Sequence, residues 1–171
     1  MNITRNNARG FTLIEILVVI GIIAILAAIV IIAINPAKQF AQARNSQRQA
    51  NVEAILSAIG QRMADNRGIF AGTISMDNGA TVYHCPDITQ NEDFISYYSN
   101  SSASSTPDAG DFSCLVPVYL PAFPYDPALD PTGSVTGYTV KATGAGRITV
   151  CAPRSLTETS VPSVQEICVV R

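Results

Sequence analysis

Arg9-Gly10-Phe11-Thr12-Leu13-Ile14-Glu15 opens a run that continues from Ile16 to Ile34 without a single charge. Between Phe11 and Ile34 the only ionisable side chain is Glu15. A bilayer core of ~30 Å needs about 20 apolar residues in a helix, so this segment is long enough to span one. A lone carboxylate there costs on the order of 2.5–3.5 kcal/mol at a helix centre and less near an interface, so it calls for a partner. Arg5 and Arg9 precede the run with no acid beside them, which puts the N-terminus on the cytoplasmic side and sends everything after Ile34 outward.

A cut between Gly10 and Phe11 would supply the partner. It creates an α-amino group about one helical turn from Glu15, and that cation, or the same group on a neighbouring subunit, neutralises the carboxylate. Gly-Phe-Thr-Leu-Ile-Glu after a short basic leader closely resembles the class III processing site of type IV pilins and type II secretion pseudopilins. The resemblance implies that a membrane aspartyl peptidase cuts after Gly10 and methylates the amine of Phe11, and that Glu15 pairs with a neighbour's N-terminus. Two plainer readings compete. A secretory signal has an apolar region of about 7–15 residues followed by the small residue, whereas here the run is longer and the small residue comes first. A signal anchor fits the hydropathy but leaves the motif as coincidence.

The expected organisation is a leader over 1–10, a transmembrane and filament-core helix over 11–34, an amphipathic second half over 35–67 and an extracytoplasmic head over 68–171. Asn35-Pro36 should kink or break the helix, because Pro36 lacks an N–H and crowds the carbonyl of Ile32. Asn35 also suits an N-cap, and Pro36 the first turn of a fresh helix. Val52, Ile55, Leu56, Ile59 and Met63 then fall on one helical face, and Asn66-Arg67-Gly68 reads as its stop. Beyond Gly68 the chain turns to short strands. Asp77-Asn78-Gly79 reads as a turn, Ala80 to His84 as a strand, and Gly137 to Ala142, Arg147 to Ala152 and Glu166 to Arg171 as the strongest strands. Pro121, Pro124, Pro127 and Pro131 make the stretch before them an extended loop. The fold class is therefore α+β: a long N-terminal helix whose second half packs on a small C-terminal antiparallel sheet, the layout of pilin-like proteins. Asp126-Pro127 followed by Thr136-Gly137-Tyr138 resembles their loop-to-sheet junction.

Cys85, Cys114, Cys151 and Cys168 all lie in the exported part, where an even count favours two disulfides, with three pairings open to four cysteines. In the pilin-like layout Cys85 is expected to join Cys114 around the variable loop, and Cys151 to join Cys168 across the final sheet. His84 is the only histidine and the spacings suit no standard zinc set, so no metal and no cofactor is expected. Nor is there a phosphate loop, a Gly-x-Ser-x-Gly or a free nucleophile with an oriented base, which argues against an enzyme. Asp126 with Asp130, or Asp108 with Asp111, offers carboxylates to calcium without a full ligand loop; solvated loops are the plainer reading. Asn100-Ser101-Ser102 is a glycosylation sequon.

Charge is distributed unevenly. Between Asn35 and Arg67, Lys38, Arg44, Arg48, Arg62 and Arg67 face only Glu53 and Asp65, whereas from Gly68 onward ten acids face four bases. A basic neck and an acidic head would help copies stack with an offset, unless both are simply solvated. Lys38, Arg44 and Arg48 form the only local basic group, so DNA uptake is open to a fibre but unsupported in this subunit. The resemblance implies a pilin held in the inner membrane as a single-pass protein and in contact with its lipid. From there an assembly platform with its ATPase extrudes identical subunits into a helical surface filament for adhesion, motility or DNA uptake. The alternative is a type II secretion pseudopilin. The acidic calcium loop of major pseudopilins is missing from the last thirty residues, which favours the pilin.

Overall fold

The computed structural model describes residues 10–76, 81–97, 110–161 and 165–171. The leader up to Arg9, the Asp77-Asn78-Gly79 turn, the serine-rich loop with its sequon at Asn100, and Asp108 lie outside the described residues. The chain divides into two compact units, Met1–Gln39 and Phe40–Arg171.

The first unit is dominated by α1, Leu13–Ile34, 22 residues with none buried. At 1.5 Å per residue α1 is about 33 Å long, enough to cross a bilayer. It is apolar on every side, which a helix in water does not sustain without lipid or other helices around it. The break expected at Asn35-Pro36 is present. Asn35 adopts a left-handed conformation at φ 44°, and α2, Pro36–Asp65, starts at the next residue. Asn35 Oδ1 then accepts from the Lys38 N–H, capping the new helix.

Most of α2 belongs to the second unit, the α+β head. Its buried residues Ala41, Arg48, Val52, Ile55, Ile59 and Arg62 recur every three to seven positions and form one stripe. Val52, Ile55, Leu56 and Ile59 share a core with Tyr138, Val140, Ile148, Val150 and Ala152 of the sheet. Fully burying a side chain of this kind is worth about 1.5–3 kcal/mol, so the stripe binds α2 to the sheet. The helix stops where expected. Arg67 and Gly68 have positive φ, and the Gly68 N–H donates to the Met63 carbonyl at 2.7 Å.

Two antiparallel sheets follow. In the first, β1 (Gly72–Met76) pairs with β2 (Thr81–Cys85). The second has the order β3 (Asp93–Ser96), β4 (Val135–Ala142), β5 (Ile148–Ala152), β6 (Ile167–Val170). The last three strands fall where the sequence placed them, and the proline-bearing stretch before β4 contains no strand. β1 and β3 are not expected from the sequence: both are short, and β3 lacks alternation, with Phe94 and Ile95 adjacent.

Two disulfides are formed. Cys85, at the end of β2, bonds Cys114 in a short 3-10 turn, and Cys151 on β5 bonds Cys168, directly opposite on β6. In the chain-entropy model, loops of these lengths contribute about 3–4 kcal/mol each.

Candidate processing and assembly site

Gly10 and Phe11 stand in the open at the start of α1. A Cβ built on Gly10 meets nothing within 4 Å, and Phe11 is 81% exposed. Among the described residues, nothing demands a glycine at position 10. Thr12 is the N-cap of α1, and Glu15 is its third helical residue. The Glu15 N–H donates to Thr12 Oγ1 at 3.3 Å, and the Thr12 N–H reaches back to Glu15 Oε2 at 3.4 Å. Thr12 Oγ1 also donates to the same carboxylate oxygen at 3.1 Å. This is a capping box: each residue satisfies a backbone donor that the first helical turn leaves orphaned. The carboxylate also sits at the positive end of the helix dipole. The Thr-x-x-Glu spacing carried this signal in the sequence, where the question of a charge partner for Glu15 hid it. The structure thus ties Glu15 to Thr12 and leaves Phe11 one turn away from it along the chain.

A second polar constellation lies in the head, on residues whose connection the sequence did not reveal. Arg48, 0% exposed, donates from Nε to Asp126 Oδ2 at 2.7 Å and from Nη2 to Asp126 Oδ1 at 3.0 Å, a two-point clasp. Its Nη1 donates to Asn45 Oδ1 and to Glu158 Oε1, each at 2.8 Å. Glu158 is in turn held by Nε and Nη2 of Arg44. Asp126 Oδ1 accepts once more, from the Ala128 N–H. Beside this cluster, Asn51 Nδ2 donates to the Tyr138 hydroxyl at 2.7 Å, and burial pushes that phenol up to about 12.

The cluster alters the reading of the neck. Arg44 and Arg48, read in the sequence as part of a basic neck that meets another copy's head or is simply solvated, are committed within their own subunit to two of the head's acids. Asp126 is likewise taken up by Arg48 and is not a solvated loop residue. Asp130 instead accepts from the Thr132 N–H and hydroxyl, which draw its pKa down. His84 lies on β2 opposite Thr73. The sulfurs of Cys151 and Cys168 lie near the Glu166 carboxylate, but both are disulfide-bonded and offer no thiolate to a metal.

Glu158 makes this cluster sensitive to acid. Hydrogen bonds from Arg44, helped by Arg48, hold its carboxyl at about 2, well below the usual carboxylate range. A depressed folded-state pKa means the stabilisation is present above the unfolded pKa and is lost as pH falls from about 5 toward 2. It is worth about 2 kcal/mol after allowing for screening on the part-exposed Arg44 side. Thermal melts should therefore fall steeply below pH 5 in the wild type. Glu158→Gln should melt lower at pH 7 but with a flatter dependence between pH 5 and 2, and parallel curves for the two proteins would remove Glu158 from the acid response.

Residues 5–31 match the family model of the prokaryotic N-terminal methylation motif, the class III signal of type IV pilins and pseudopilins. The motif marks a pilin or a pseudopilin, and the match is confined to the N-terminal signal and α1. Neither the curated proteins nor the solved structures provide a match to the chain.

Proposed function

We propose that the chain is the structural subunit of a type IV pilus. Prepilin peptidase cuts it after Gly10 and methylates Phe11. It waits in the inner membrane with its N-terminus inside, then enters a helical surface filament of identical subunits through α1, driven by the assembly platform and its ATPase. The observation that carries this reading is α1 itself. It bears the methylation motif, is apolar on all sides, buries none of its residues in its own subunit, and has one carboxylate at its first turn. Lipid satisfies such a surface before assembly and neighbouring helices satisfy it afterwards. In a low-dielectric bundle Glu15 needs a cation, and the freed Phe11 amine supplies one. The role is structural, not catalytic. A type II secretion pseudopilin would use the same helix, and the missing acidic loop near the C-terminus favours the pilus.

Glu15→Leu tests the assembly step. The variant should insert and be cleaved, so that chains beginning at Phe11 accumulate in the membrane while surface fibres are lost. Normal fibre numbers in Glu15→Leu cells would remove Glu15 from the mechanism. Wild-type cells that secrete through this system yet carry no long fibres containing the subunit would favour the pseudopilin.

A further inference from the structure

The two disulfides sit in unlike surroundings. Cys85 and Cys114 are both buried in the core of the head. Cys151 is buried as well, but Cys168 is exposed on β6, the last strand in the order of its sheet. The Glu166 carboxylate, also exposed, lies with the two sulfurs in a group whose atoms are all within 4.8 Å of one another. Attack on a disulfide needs a thiolate to approach one sulfur from the side opposite its partner, so access decides which bond and which sulfur reacts. An anion at that distance repels an incoming anion and disfavours a new thiolate beside it.

We propose that Cys168 is a site of thiol–disulfide exchange on the folded head, open to small thiols that carry no negative charge beyond the attacking thiolate, while Cys85–Cys114 stays closed. The attacking thiolate forms a bond to Cys168 Sγ, the Cys151–Cys168 bond breaks, and its electron pair leaves on Cys151, which takes a proton from solvent. With a dithiol, the second thiol then attacks the mixed disulfide, releasing Cys168 as a thiol and closing the reagent's own disulfide. Two electrons pass from the dithiol to the protein, and β6 loses its covalent tie to β5. The assignment rests on the head alone and stands whichever filament the chain serves.

The purified full-length chain in detergent, exposed to limiting dithiothreitol, quenched in acid, alkylated and mapped by mass spectrometry, tests the assignment. Label should reach Cys151 and Cys168 at least about tenfold sooner than Cys85 and Cys114, and neutral 2-mercaptoethanol should leave its adduct on Cys168 rather than Cys151. Equal opening of the two disulfides, earlier opening of Cys85–Cys114, or an adduct on Cys151 would overturn the assignment. The charge selectivity has its own arm. At low salt, Glu166→Gln should accelerate exchange with anionic mercaptoethanesulfonate about threefold relative to 2-mercaptoethanol. An unchanged ratio would refute the part given to Glu166.

Discussion

Arg48→Ala should destabilise the head by about 3–5 kcal/mol, because it strips the fully buried cation from the ion cluster and leaves the buried Asp126 carboxylate without its guanidinium partner. Asp126 is 1% exposed and its carboxylate would keep only the bond from the Ala128 N–H among those described, while Glu158 would retain Arg44. Arg48→Lys should recover little of the loss, since an ammonium does not reproduce the planar two-point clasp on Asp126. Arg44→Ala is the contrast. Its side chain is 38% exposed and Glu158 keeps Arg48, so the cost should be clearly smaller than that of Arg48→Ala. Urea unfolding of the detergent-solubilised chain, followed through its tyrosines, separates the two. A loss below 1 kcal/mol for Arg48→Ala would show that the cluster does not hold the head together.

Gly137→Ala should cost about 3 kcal/mol for a different reason. Gly137 has φ 88°, where an L side chain is strained by about 1–3 kcal/mol. A Cβ there would lie 2.7 Å from Leu129 Cδ1 and 2.8 Å from Asp126 Cβ. Relieving that overlap costs about 1–3 kcal/mol more. It also pushes on the residue that clasps Arg48, so Gly137→Ala and Arg48→Ala should be less than additive when combined. Gly144→Ala is the control, because a Cβ there meets nothing within 4 Å and the change should stay within about 0.5 kcal/mol. A Gly137→Ala head that melts with the wild type would mean that the 126–137 junction can shift freely.

The features legible in the sequence are those whose cause is local. A run without charges, a proline after an asparagine, an apolar stripe ending in Arg67-Gly68 and β-branched strands near the C-terminus each need only a few neighbouring residues to be read. β1 and β3 were harder. β3 has four residues, and its partners on β4 lie 39 to 47 positions away, so little in its own composition marks it. The ion cluster was illegible for the same reason in stronger form. Arg48 looks like any arginine on a polar helix face until the fold brings in Asp126 from 78 residues away and Glu158 from 110. The junction motif Asp126-Pro127 with Thr136-Gly137-Tyr138 did point to the right place, but as a resemblance and not as a contact. At the N-terminus the capping box was readable from Thr12 and Glu15, whereas the environment of Glu15 in a filament depends on other copies.

Those separations also set a clock. A chain is made from its N-terminus at about 5–20 residues per second, so roughly 5–20 s pass between the synthesis of Arg48 and that of Glu158. During that interval α2 carries a guanidinium that the head cannot bury, and the apolar stripe beside it has no finished sheet to cover it. A product released before Glu158 would lack both the clamp on Arg44 and the second acid on Arg48, and it would also lack Cys168. The ion cluster can therefore close in full only once Glu158 has been made, about a hundred residues after the arginine it completes.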